Sequence, residues 1–252
     1  MSKVNGPGAP GSLHRHREGL MKIGHAASVE ECGHNGGMRR PVLASLLLAV
    51  TLSSCVPGGV REVQFREGPA GSEVLASRLL TDQVVPRGRL VSVQEAVARA
   101  PEGSLLVVCG RQWRLSRPWG LCTHLSRKLA PGLLTEAPGI TGGGLLRGGV
   151  QTVSTSRLEA REVVIVLDVG VRQEQLPALR AEATRLNGTP YRVAGLLDRE
   201  GGLDCSTYQN ALQHALGLPA VVPFNGPWNL YLPQDALKMP GARVLWVGVR
   251  GG

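Results

Sequence analysis

The sequence predicts a single α+β domain, because apolar runs of strand length are followed by amphipathic helices and no internal repeat is present. The run Val163–Asp168 is apolar enough to lie in the centre of a sheet. Farther along, Leu176, Leu179 and Ala183 recur at the spacing of one helical face. These patterns indicate that sheet and helix share one hydrophobic core.

Three helices are predicted from apolar spacing and from their end signals. The first begins at Ser92, where Ser92-Val93-Gln94-Glu95 has the pattern of a capping box, and extends through Ala100. The second covers Gln173–Asn187 and is followed by a glycine, which is typical of a helix end. The third covers about Cys205–Leu216 and ends before Gly217 and a proline.

The strand predictions rest on short apolar or alternating runs between turn-forming residues. The glycine-rich segment GITGGGLLRGGV lacks the spacing of a dinucleotide-binding loop and is interpreted as a hairpin turn. The predicted strands are Leu105–Val108, Leu133–Ala137, Val150–Thr155, Val163–Asp168 and Arg243–Val249.

Length and composition limit the function classes. The chain has 252 residues, 42% of them hydrophobic, which excludes wholesale disorder and allows one domain or two small ones. No apolar run reaches the roughly 18 to 20 residues of a membrane-spanning helix, which excludes a polytopic membrane protein. The formal charge of +9 raises the hypothesis of nucleic-acid binding.

Much of the N-terminal region is expected to be absent from the mature protein. Residues 1–37 have no apolar periodicity and are interpreted as a disordered leader or an upstream mis-start. Residues 38–54 have the basic, apolar and small-residue zones of a secretory signal. The ending Leu52-Ser53-Ser54-Cys55 resembles the lipobox of bacterial lipoproteins, in which the cysteine is acylated and becomes the new N-terminus. The alternative is a short buried helix in which Cys55 has no special role.

Cleavage before Cys55 changes the charge argument. Removing 54 residues from 252 leaves 198, and the removed part holds six of the 28 basic and three of the 19 acidic residues, so the net charge becomes +6. The remaining arginines are dispersed, which makes nucleic-acid binding the third hypothesis. Acyl chains on Cys55 are expected to attach the exported protein to the cell-envelope membrane. Residues 55–90 then form a tether and lead-in, and residues 91–252 form the domain.

The cysteines and histidines that remain after cleavage define the candidate chemistry. Cys109 and Cys122 either form a disulfide or are two small buried residues. Cys205 lies at the start of a predicted helix, where free N–H groups and the helix dipole stabilise a thiolate. His214 lies nine residues beyond Cys205, about 13 Å along the helix and on its opposite side, so only His124 can act as a base. Alternatively, Cys205 is a buried helix residue and His124 a surface residue.

A resemblance favours the catalytic interpretation. The run GTPYRVAG, followed by LDCS at the helix start, resembles the motif around the catalytic cysteine of NlpC-type papain-like peptidases. In most of these peptidases the histidine follows the cysteine, but here only His214 does. The order histidine, acidic residue, cysteine is that of a circularly permuted branch, the YiiX/YebB-like cysteine hydrolases, which the chain resembles along most of the part after Cys55. The resemblance implies a permuted papain-like fold with an antiparallel sheet packed against helices.

Three further segments carry this resemblance. EGSLLVVCGRQWRLSRPWGLCTHLS is similar to the opening of the permuted branch, GLLTEA to its strand with the third catalytic residue, and LPQDALKMPGARVLWVG to its closing segment. On this mapping Cys205 is the nucleophile, His124 the base and Glu136 the residue that orients the imidazole. Two features depart from the family: Ser104 replaces a usual aspartate, and residues 125–128 are more polar than the expected strand.

The remaining site candidates surround the cysteine motif. Tyr191 either lines the substrate cleft or packs the turn against the helix. Asp204 either holds a substrate amine, as in NlpC-type peptidases, or caps the helix, and the local preference of aspartate favours capping. Ser206 is predicted, with Tyr191 and Asp204, to contribute to substrate binding or to the oxyanion site. No zinc-type ligand spacing or cofactor motif is present, so no metal or cofactor is expected.

The predicted function is a lipid-anchored thiol hydrolase of the cell envelope. It is expected to cleave an amide or ester bond, in a peptidoglycan peptide or another acyl compound, through an acyl-enzyme. The alternative is a non-catalytic envelope lipoprotein that uses the same fold for binding or structure.

Overall fold

The computed structural model describes residues 64–70, 74–110, 120–141, 144–145, 148–193 and 202–251. All of them lie in one compact unit, Val60–Gly252. The predicted leader, the signal segment and the lipidation residue Cys55 lie outside the described residues.

In the described ranges, twelve strands form one large sheet and two small pairs. The large sheet has the order β10-β7-β6-β5-β11-β12-β2, and β4 pairs with β12 in parallel, whereas every other pair in this sheet is antiparallel. The strands are β1 Arg66–Glu67, β2 Val74–Leu75, β3 Val84–Val85, β4 Leu90–Ser92, β5 Leu105–Cys109, β6 Cys122–Ala130, β7 Leu133–Glu136, β8 Ile140–Thr141, β9 Gly144–Leu145, β10 Gln151–Ser154, β11 Val163–Asp168 and β12 Arg243–Val249.

Within the described residues four α-helices accompany the sheet, so this part of the chain combines an antiparallel sheet with helices, as the α+β prediction requires. They are α1 Val93–Arg99, α2 Ser156–Glu159, α3 Leu176–Leu186 and α4 Cys205–Ala215. The predicted cap of α1 is confirmed, because the Ser92 side chain accepts a hydrogen bond from the Glu95 N–H at 3.1 Å. In the segment predicted as a hairpin, β8 and β9 pair antiparallel, and residues 142–143 between them lie outside the described part.

The two faces of the sheet pack against different helices, which matters for the site. Val108 of β5 packs in an apolar cluster with Val97 of α1, on what we call the α1 face. Leu125 of β6 packs in a different cluster with Cys205 of α4, on what we call the α4 face. Residues directly opposite each other in neighbouring strands point to the same face, so the register assigns each strand residue to one of these two sides.

Strand β6, nine residues long, was not among the predicted strands. Its sequence hides the alternation because Arg127 and Lys128 are both buried. Arg127 Nε donates to Gln209 Oε1 at 3.0 Å, Arg127 Nη1 donates to the Gly103 carbonyl, and Lys128 Nζ donates to the Val97 carbonyl at 3.1 Å. Arg127 and Lys128 are therefore stabilised by polar partners, one residue on each face of β6, and not by the apolar packing that an alternating sequence pattern predicts.

The structure resolves the open question about the first two cysteines of the domain. Cys109 at the end of β5 and Cys122 at the start of β6 form a disulfide. The bond closes the β5–β6 connection, whose residues 111–119 lie outside the described part, and it fixes the end of the strand that carries His124.

Candidate active site

Cys205 is the first residue of α4, as predicted, and Asp204 caps that helix. Asp204 Oδ1 accepts hydrogen bonds from the N–H groups of Ser206 and Thr207, each at 2.8 Å. The Thr207 hydroxyl completes a capping box by accepting from the Asp204 N–H at 2.9 Å. The local preference that favoured a capping role for Asp204 is therefore confirmed.

The Cys205 thiol is a neutral group at neutral pH in this structure. Its residue is only 6% exposed, and burial together with the adjacent Asp204 carboxylate raises the pKa of the thiol to about 12. The backbone N–H of Leu125 and the Ser206 hydroxyl lower the thiol pKa without offsetting the rise. The helix start was expected to stabilise a thiolate, but burial and the Asp204 charge outweigh the lowering of the pKa by the Cys205 N–H at the helix start.

His124, which is partly buried, and the fully buried Glu136 form a pair on the α1 face. His124 Nε2 lies 2.8 Å from Glu136 Oε2, and this carboxylate oxygen also accepts from the Ser126 hydroxyl at 3.0 Å. The second oxygen, Oε1, lies 2.6 Å from Arg157 Nε and accepts from Gln151 Nε2 at 3.2 Å. Glu136 is 1% exposed, so four donors replace the water that its carboxylate loses on folding.

These donors keep Glu136 ionised. Burial by itself would raise the pKa of this carboxyl, but the hydrogen bond and charge of His124, the charge of Arg157 and the Ser126 hydroxyl together lower it to about 2. A carboxylate of this kind fixes the imidazole through Nε2 and stabilises a positive charge on the ring. Only Nδ1 then remains for proton exchange with another group.

The thiol and the imidazole lie on opposite sides of one stretch of β6. His124 is directly opposite Val108, whose side chain belongs to the α1 face, whereas Leu125 shares the α4 face with Cys205. The Leu125 backbone N–H lowers the pKa of the Cys205 thiol, so the thiol lies next to the residue that follows His124. Within the described part of the chain no hydrogen bond joins the thiol to the imidazole. The structure thus pairs His124 with Glu136, as predicted. It places Cys205 next to Leu125, the residue after His124.

Tyr191 lies on the Cys205 side of the site. Its ring packs against Gly139, where an added Cβ would be 2.7 Å from the Tyr191 Cζ. Burial, followed by the charges of Cys205 and Asp204, raises the pKa of the Tyr191 phenol. Ser206 is fully buried, and its hydroxyl has no nitrogen or oxygen partner. Tyr191 therefore both packs the turn and lies close to the thiol, while the Ser206 side chain does not face solvent.

Three members of the Glu136 cluster were not predicted. Ser126 follows His124 by two residues, so recognising β6 as a strand would have put both on one face. Gln151 and Arg157 come from β10 and α2, and the sequence contains no local signal that links them to Glu136. Only the tertiary fold brings them together.

Comparisons with known proteins add no assignment. No protein-family model, no curated protein and no solved structure matches this chain. Among the described residues, no cluster of three or more histidine, cysteine, aspartate or glutamate side chains could hold a metal ion. The helices described are also all too short or too polar to cross a bilayer.

Removing the charge of Asp204 is expected to make Cys205 more reactive. Asp204→Asn retains an oxygen that can accept from the helix N–H groups, but it removes the carboxylate that raises the thiol pKa. We expect alkylation of Cys205 by iodoacetamide at pH 7.5 to accelerate by roughly three- to tenfold. The measurement is the second-order rate from peptide mass spectrometry.

Asp204→Ala serves as the matched variant for the capping role. It also removes the charge, but the lost cap should lower the free energy of unfolding by about 1 kcal/mol. Unchanged or slower alkylation in a folded Asp204→Asn protein would show that the carboxylate does not control the thiol.

Proposed function

We propose that this chain is a lipid-anchored thiol hydrolase of the cell envelope, with the circularly permuted, NlpC-type papain-like fold of the YiiX/YebB-like hydrolases. It cleaves an amide or ester bond through an acyl-enzyme. The observation that carries the proposal is the 2.8 Å contact between His124 and the buried Glu136, together with Leu125, the residue after His124, which adjoins the Cys205 thiol. The chain order histidine, glutamate, cysteine agrees with the resemblance in the sequence.

The ionised Glu136 supports a base role for His124. The Glu136 carboxylate, with a pKa of about 2, accepts a hydrogen bond from Nε2–H of the imidazole. Nδ1 is then the unprotonated ring nitrogen that can accept a proton. Because the thiol is neutral at rest, its proton has to leave during the attack itself. His124 is the base in this proposal, which requires substrate binding to rearrange β6 around Leu125 so that Nδ1, on the α1 face, reaches the sulfur on the α4 face.

The proposed reaction has two half-reactions. Cys205 Sγ forms a bond to the substrate carbonyl carbon while its proton passes to His124, and the backbone N–H of Cys205 stabilises the oxyanion. Collapse breaks the carbon–nitrogen or carbon–oxygen bond, and His124 returns the proton to the leaving amine or alcohol. Water, deprotonated by His124, then attacks the thioester and releases the acid and the free thiol.

The substrate class follows from the proposed location. A protein attached through Cys55 to an envelope membrane meets peptidoglycan peptides and other amide- or ester-linked acyl compounds. Transfer of the acyl group to an acceptor other than water is a close variant of the same chemistry. No cofactor or metal enters either half-reaction.

A second candidate function has its own support. The thiol is 6% exposed, has a pKa of about 12 and makes no described hydrogen bond to the imidazole. These features fit a non-catalytic envelope lipoprotein in which Cys205 is a buried helix residue. The two candidates differ in whether Cys205 forms a covalent adduct with an acyl substrate.

Adduct formation is the experiment that separates them. The protein is incubated with a panel of p-nitrophenyl acyl esters and peptidoglycan fragments, then quenched in acid and mapped by mass spectrometry. The hydrolase should carry an acyl group on Cys205, and Cys205→Ala should carry none and release no p-nitrophenol above background. Absence of any adduct in the folded wild-type protein, across the panel, supports the non-catalytic lipoprotein.

A further inference from the structure

Two large aromatic side chains project from one loop beside the candidate site. Phe224 is 52% exposed and Trp228 is 46% exposed, and both lie in residues 223–231, which we call the aromatic loop. The other large exposed apolar residues described, Leu75 and Leu133, occur singly in β2 and β7. Scattered single residues are ordinary on a protein surface, whereas two exposed aromatics on one loop are a local apolar feature.

Contacts within the aromatic loop hold its backbone in one conformation. Asn225 and Leu230 exchange backbone hydrogen bonds across it, at 2.9 and 3.4 Å. The ring of Phe224 packs edge-on against Tyr231 with centroids 5.3 Å apart, and Asn229 makes the turn with φ of 53°. Three prolines, at positions 223, 227 and 233, restrict the backbone further. A preformed loop of this kind loses little conformational entropy when its tip is buried.

The loop is tied to the two elements that carry the proposed catalytic groups. At its N-terminal side, Val222 exchanges two hydrogen bonds of 2.8 Å with the Asn210 side chain of α4. At its C-terminal side, Gln234 Oε1 accepts from the Leu121 N–H at 2.6 Å, one residue before β6 begins. The exposed aromatics are therefore held close to the junction of α4 and β6, where Cys205 and His124 lie.

Charge and tether length indicate that the aromatic loop contacts a lipid bilayer. No aspartate, glutamate, lysine or arginine occurs between positions 215 and 234, and the next charged residue, Asp235, is paired with Lys238 at 2.7 Å. Uncharged loops with tryptophan and phenylalanine suit the boundary between water and lipid. The proposed acylated Cys55 precedes Gln64 by nine residues, so an extended tether keeps the domain within about 30 Å of the bilayer surface.

We propose that Phe224 and Trp228 insert into the lipid–water interface and dock the domain on the membrane with its Cys205 site close to the bilayer surface. The inference rests on the lipid-anchored location in the proposed function, and it adds a second, non-covalent membrane contact. It directs the site toward acyl compounds embedded in the membrane rather than toward freely diffusing ones.

Vesicle partition tests this docking without the anchor. All described elements lie in the unit Val60–Gly252, so the mature chain from residue 55 carrying Cys55→Ser is used, with thermal melting as the check of folding. It is sedimented with vesicles of phosphatidylcholine and phosphatidylglycerol. Phe224→Ser and Trp228→Ser are each expected to weaken partition about tenfold, and the double variant more. Leu133→Ser, which removes an equally exposed apolar side chain elsewhere, should leave partition unchanged.

A spectroscopic readout complements the sedimentation. Vesicles with brominated acyl chains should quench the fluorescence of wild type more than that of Trp228→Phe, while Trp228→Phe should retain most of the partition. Unchanged partition of the folded double variant would overturn the proposal. If the double variant instead loses a concentration-dependent dimer and still binds vesicles, the aromatic loop contacts a second copy of the chain, and the proposal is again overturned. Cys205→Ala should partition like wild type, so failure of docking and failure of the hydrolase are separate results.

Discussion

Glu136→Gln is expected to lower the free energy of unfolding by about 3 kcal/mol at pH 7. His124, Arg157 and Ser126 lower the pKa of the carboxyl from 4.5 to about 2 despite its burial, and each unit is worth about 1.4 kcal/mol of preference for the ionised form. Glutamine resembles the protonated acid and turns an N–H₂ group toward two of those donors. His124 also loses the negative charge that orients its ring, so proton transfer at Nδ1 should slow.

The pH dependence of this effect has a defined sign. The folded-state pKa of Glu136 is below its unfolded value, so its contribution is fully present above about pH 5 and is lost as pH falls toward 2. Urea denaturation at pH 7 and pH 3 should therefore show a large difference between wild type and Glu136→Gln at pH 7 and a smaller one at pH 3. Glu95→Gln, which removes an exposed ion pair with Arg99, should change stability by at most about 0.5 kcal/mol. Equal stability of the Glu136→Gln and Glu95→Gln proteins at pH 7 would contradict the role of the buried cluster.

Loss of the Cys109–Cys122 disulfide is the second large effect expected. The two cysteines are 13 positions apart in sequence, and closing a loop of that size stabilises a domain by about 3 kcal/mol. The double variant Cys109→Ala/Cys122→Ala should lose about this much and should also release the start of β6. Because His124 lies two residues beyond Cys122, any hydrolysis or acylation at Cys205 should fall as well.

Reductant provides the matched measurement for the disulfide. Urea midpoints of wild type are compared with and without dithiothreitol, and the double variant is measured under both conditions. Wild type should be destabilised by the reductant, and the double variant should not respond. A wild-type midpoint that is the same in both conditions would mean that the bond contributes nothing to stability.

The sequence allowed most of the fold to be predicted, for reasons that are local. Ser92 capped the first helix, the spacing of Leu176, Leu179 and Ala183 identified α3, and the apolar run of β11 identified a central strand. Strand β6 escaped because Arg127 and Lys128 are buried by polar contacts with residues distant in sequence. Periodicity detects apolar packing, and it cannot detect a charged side chain whose partners come from another element.

The site was predictable to a similar extent. Placement of Cys205 and Asp204 at a helix start depended on neighbouring residues alone, and the structure agrees. The pairing of His124 with Glu136 was inferred from a resemblance, and the 2.8 Å contact places them together. The thiol pKa was not predictable, because it depends on burial and on how close the Asp204 carboxylate lies to the sulfur. Those are properties of the packed structure.

The most direct test is the pH dependence of Cys205 alkylation in wild type and His124→Ala. If the imidazole accepts the thiol proton during attack, wild type should react with iodoacetamide at least about tenfold faster than His124→Ala at pH 7, because burial and the Asp204 charge raise the pKa of the thiol to about 12 and the variant has no base to remove its proton. His214→Ala, which changes an exposed histidine at the other end of α4, should react like wild type. Equal rates in wild type and a folded His124→Ala protein would contradict the claim that Cys205 and His124 act together.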